Sequence, residues 1–184
     1  MVNVLIGIIG VILFIGLALA GAGFLGPKFT EAMVKSKAMA VSQLTSQITM
    51  ALTMHRGDEQ VPLVARTSLV SLVPKGYLKD VPMNPFMGEG GYPFRALYSG
   101  AVERGDFYAD VVFVSMGNGN EMMLVCEAIN RQSPGGVAEV PQMPLEMGTD
   151  IRSMLRGTTG CFQVHAAGIY GEANPGDYVV YSRI

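Results

Sequence analysis

No charged side chain occurs before Lys28 in this 184-residue chain, and Asn3 is the only polar side chain in that stretch. Such a segment has no face to offer water, which excludes an ordinary surface helix. As a helix it would be about 40 Å long at about 1.5 Å per residue, enough to cross a bilayer core of about 30 Å. Cysteine and histidine are also scarce: Cys126, Cys161, His55 and His165 are all there are. Two cysteines are too few for a disulfide-rich framework. If they lie outside the cytoplasm, one Cys126–Cys161 disulfide is expected; two buried free thiols are the alternative. Cys161 and His165 make one Cys-x-x-x-His pair with no second pair to complete a zinc site, so no metal is expected.

Charge is sparse and mixed. A net charge of −2 without a block of either sign excludes a nucleic-acid-binding surface. No nucleophile motif, phosphate-binding loop or paired-carboxylate site is readable, so neither an enzyme nor a cofactor is expected. Gly117-Asn118-Gly119 is too short for a phosphate cradle. Glu139, Glu146 and Asp150 lie in a Pro-rich stretch without calcium-loop spacing. Arg-Gly-Asp occurs at 56–58 and at 104–106, where a helix end and a turn need glycine.

What is present is a helix that changes character. Residues 1–27 are apolar, and 28–55 continue as an amphipathic helix. Its stripe runs Phe29, Met33, Val34, Val41, Leu44, Ile48, Leu52 and His55, and its methionines (Met33, Met39, Met50, Met54) are read as packing residues. Gly21, Gly23, Gly26 and Pro27 form a weak point, because Pro27 removes a helical hydrogen bond and glycine lowers helix propensity. Three identities fit the first segment. A signal peptide lacks its basic start, because no Lys or Arg precedes the apolar run. A simple anchor followed by Lys28, Lys35 and Lys37 would leave the body in the cytoplasm. The favoured reading is a mature chain whose short basic leader has been removed ahead of Met1.

Residues 56–184 form one Gly- and Pro-rich globular domain. Gly57 is expected to close the helix as C′ residue. The 56–92 stretch is mostly loop, with a short helix at 68–73 and an ordered loop at 76–86 pinned by Tyr77, Leu78 and Phe86. Phe94–Val102 and Phe107–Ser115 are predicted to pair as a hairpin around 103–106. A helix follows at 121–131, burying Met122, Val125, Cys126 and Ile129. Residues 133–150 are expected to be loop, and Cys161–Tyr170 and Tyr178–Ile184 to be strands. The fold class is α+β: a long N-terminal helix packed on a small antiparallel sheet.

This order of features resembles the type IV pilins and the related pseudopilins of type II secretion. The uncharged span running into an amphipathic helix carries the resemblance. So do the loop Gly76-Tyr77-Leu78…Pro82…Asn84-Pro85-Phe86, the hairpin and the late cysteine pair. Met1 and the cysteine-closed C-terminal region look most like the type IVb branch. The resemblance implies a subunit held in the inner membrane, cut by a prepilin peptidase, methylated at Met1 and polymerised by an assembly machinery with copies of itself into an extracellular filament. Val4, Leu5, Ile8, Ile9, Ile12, Leu13, Phe14, Leu17 and Phe24 would pack the filament core. One residue departs from the family: Leu5 stands where pilins carry Glu. That points to a minor pilin or pseudopilin as one alternative role; a monomeric membrane-anchored binding module is another.

Overall fold

The computed structural model describes residues 2–59, 69–89, 94–97, 111–133, 138–143, 155, 157–165 and 173–184. Helix α1 spans Val2–Glu59 and helix α2 Asn120–Gln132. The strands are β1 (Arg95–Leu97), β2 (Val111–Gly117), β3 (Gln142–Met143), β4 (Thr159–Val164) and β5 (Tyr178–Arg183). The fold is α+β, and the chain divides into two compact units, residues 1–36 and 37–184.

In the second unit the sheet order is β1-β2-β5-β4-β3. Three neighbouring pairs are antiparallel, but β3 joins β4 in parallel, so the sheet is mixed rather than antiparallel. Residues 133–150 were expected to be all loop, yet β3 lies within them. Pro141 and Pro144 bracket it and confine it to two residues at a sheet edge, where proline is tolerated. β1 and β2 pair antiparallel with Arg95 opposite Phe113. The predicted turn at 103–106 lies outside the described residues. The Cys161–Tyr170 strand is observed as Thr159–Val164, with 166–172 outside the described residues.

All seven residues of β2 are buried, as expected of a strand covered on both faces. Alternation puts Cys161 on the face nearest α2, because it is disulfide-bonded to that helix, and Phe162 and Val164 on the opposite face. There Phe162 meets Phe113 edge-on at 6.1 Å between ring centroids and tilts against Tyr181, with Val111, Val179, Met143 and Leu155 around them. Gly160 lies under Tyr181, and a Cβ on it would come within 2.5 Å of the phenol oxygen. Tyr181 is buried and has no room to swing away. Gly160→Ala is therefore expected to destabilise the domain by about 1–3 kcal/mol, the usual cost of overpacking, read as a lower midpoint in urea.

Helix α2 forms as its sequence predicts. Met122, Val125, Cys126 and Ile129 are its buried face, Glu121 stands in the first turn and Arg131 in the last, both favourable to the helix dipole. Gly119 precedes it with φ of 115°, a conformation that favours glycine.

Between residues 37 and 59, α1 buries Ala38, Val41, Thr45, Ile48, Leu52 and His55 at alternating three- and four-residue steps. Three expectations are corrected here. The buried stripe begins at Ala38, because Phe29 (68% exposed) and Met33 lie in the first unit and face solvent. Met39, Met50 and Met54 are likewise exposed, being off the buried stripe. The helix also does not close at Gly57: Arg56, Gly57 and Asp58 are helical, and Gly57 has no positive φ. Contacts from the following loop hold that last turn. The Tyr77 hydroxyl donates to Asp58 Oδ2 at 3.1 Å, and its ring packs edge-on to His55.

The 68–73 helix is a short 3-10 turn at Leu69–Leu72. The Leu72 carbonyl accepts from both Tyr77 and Leu78 N–H groups, and Gly76 turns the chain at φ 79°. Leu78 and Phe86 are buried as expected. Asn84 adds an anchor that hydrophobicity does not reveal: its amide donates to the Ser115 carbonyl at 2.7 Å while its oxygen accepts from Phe86 N–H.

Candidate functional site

The first unit is dominated by one chemical fact. Ile6, Ile8, Ile9, Val11, Ile12, Leu13, Phe14, Ile15, Leu17 and Leu19 are all exposed, Phe14 and Leu17 by 73% and 74%. These positions surround the helix axis rather than lining one side, since ten of fourteen consecutive residues cover every 100° step. Exposed apolar area costs about 25 cal/mol per Å² in water, so this surface demands a cover. The helix satisfies its own backbone and is long and apolar enough to cross a membrane. The side chains of Val4, Leu5 and Phe24, together with Met1, lie outside the described residues.

Helix α1 carries through Gly21, Gly23, Gly26 and Pro27. Pro27 offers no N–H to the Gly23 carbonyl. One turn on, the Thr30 hydroxyl donates to the Gly26 carbonyl at 3.2 Å. A Cβ at any of the three glycines would meet nothing within 4 Å, so nothing in the chain itself requires glycine there. Polarity begins with the exposed Lys28–Glu31 pair at 3.3 Å, a contact worth little in water.

The second unit is stapled. Cys126 on α2 and Cys161 on β4 form a disulfide with Cα atoms 5.3 Å apart, which settles the choice between a bridge and free thiols. Asn130, one helical turn beyond Cys126, grips the same strand. Its Oδ1 accepts from Cys161 N–H at 2.7 Å, and its Nδ2 donates to the Cys161 carbonyl at 3.0 Å and the Glu139 carbonyl at 3.1 Å. The side chain thus supplies what a neighbouring strand would, where β3 is too short to reach. Sequence reasoning missed Asn130; its only signal was an asparagine four residues after a cysteine on a buried helix face.

The remaining candidates are not brought together. His55 is buried at the helix end, with its Nε2 3.1 Å from Lys75 Nζ. His165 is exposed, and Cys161 is committed to the disulfide, so the pair cannot ligate a metal. Glu139 is exposed, while Glu146 and Asp150 lie outside the described residues. Among the described residues no group of three His, Cys, Asp or Glu could hold a metal ion. The first Arg-Gly-Asp is part of α1, and the second is outside the described residues.

Comparison with protein-family models, with curated proteins and with solved structures finds no match. The functional reading therefore rests on the chain's own chemistry.

Proposed function

We propose that this protein is a structural, non-enzymatic subunit of the type IV pilin kind, polymerising through residues 1–27 into a filament coated by the globular domain. The observation that carries the reading is an apolar helix exposed on every side, with no charge before Lys28, joined to a disulfide-closed domain. Lipid covers such a surface before assembly, and identical helices cover it afterwards. In that reading the partners are copies of this chain, the inner membrane, a prepilin peptidase and an assembly machinery, and the product is an extracellular bacterial pilus serving attachment, motility or DNA transfer.

Leu5 favours a second form of the same reading. A buried N-terminal amine with no carboxylate near it costs several kcal/mol. A subunit at a filament tip, or in a short secretion pseudopilus, has no neighbour above to bury that amine. Electron microscopy of material sheared from producing cells, with mass spectrometry of the fibres, separates the two. Abundant fibres built of this chain with an N-methylated Met1 are the expected result for a major subunit. Traces of it in fibres of another protein indicate the minor role, and an unprocessed chain found only in membranes refutes both.

A further inference from the structure

The outer side of α1 in the globular unit lacks what a solvent-facing helix normally carries. From Ala38 to His55 there is no Lys, Arg, Asp or Glu. Opposite the buried stripe, Met39, Gln43, Ser46, Gln47, Met50 and Met54 are exposed, Met50 by 65%. The spacing 39, 43, 46, 50, 54 is that of a helix–helix seam, on the far side of the helix from 38, 41, 45, 48, 52 and 55. One helix thus bears two seams, of which this chain covers one. Thr53, beside the outer seam, turns its hydroxyl back onto the Thr49 carbonyl at 2.8 Å and so presents its methyl outward.

We propose that this outer seam packs against the same stretch of α1 in a second copy of the chain, an extension of the self-assembly proposed above that rests on it. The chemistry selects the occupant. Nucleic acid and acidic partners need cations, and the seam has none. A bilayer surface favours a helix with Lys or Arg flanking large apolar side chains, and here glutamine and serine sit in the middle. Glutamine amides and serine hydroxyls each donate and accept, so an identical surface satisfies them without any charge. The unbranched thioethers of Met39, Met50 and Met54 fill irregular gaps between helices.

The test places a photo-crosslinking amino acid at Met50, and separately at Leu13, in the full chain within the cells that make it. Irradiation at Met50 is expected to give a ladder in multiples of 19.6 kDa. Ser46→Lys, at an exposed position, is expected to weaken that ladder at least tenfold while the Cys126–Cys161 disulfide, read from mobility without reductant, stays formed. A ladder from Leu13 but none from Met50 overturns this inference and leaves the polymer reading standing. No ladder from either overturns both. A Met50 adduct of lipid or of any other mass, or a ladder indifferent to Ser46→Lys, also overturns it. A ladder from Met50 alone supports the outer seam and removes the polymer reading of residues 1–27.

Discussion

Leu13→Asp is expected to abolish assembled fibres while leaving the globular domain intact. An aspartate at the centre of an apolar helix costs about 2.5–3.5 kcal/mol on insertion into a membrane. Between packed helices without water, an unpaired carboxylate costs at least several kcal/mol. Every copy in a polymer suffers that loss, so it multiplies along the fibre. Ile8→Asp should behave the same way. The measurement is electron microscopy of sheared material beside thermal unfolding of a 28–184 fragment. No fibres and an unchanged melting temperature is the expected pair of results; normal fibres from either variant would show that this helix is not the polymer's core.

The second large effect lies at the α2–β4 staple. Replacing Cys126 and Cys161 with serine removes a cross-link across 35 residues, worth about 3–4 kcal/mol in the chain-entropy account. That is a large share of the roughly 5–15 kcal/mol typical of a domain. The melting temperature should fall by about 10 °C, at a few degrees per kcal/mol for a domain of this size. Asn130→Ala is expected to cost about 1–3 kcal/mol, since it leaves buried β4 backbone groups without partners. Because both clamps seize Cys161, the combined variant should lose more than the sum, as coupled neighbours do. Additive losses would mean that the amide and the disulfide act independently.

Local chemistry made some of this legible. The uncharged stretch ahead of Lys28, the buried face of α2, the pinned loop at Leu78 and Phe86 and the cysteine pair all announce themselves within a few residues. Other features depend on partners distant in the chain. Gly57 looks like a helix stop until Tyr77 is seen holding Asp58. β3 is two residues long and shows no alternation that a sequence can display. Phe29 and Met33 share the periodicity of the buried stripe, yet they fall in the first unit, where no core exists to receive them. Asn130 carries no apolar signal at all, although it holds the strand that the disulfide holds.

β5 is the last strand in chain order, yet it sits in the middle of the sheet, between β2 and β4. During synthesis those two strands have no common neighbour until Tyr178–Arg183 leaves the ribosome. The greasy helix emerges first and the keystone last, so membrane delivery of the one must begin before the other can fold. A ribosome stalled before residue 178 would hold a tethered helix and an open, protease-sensitive domain.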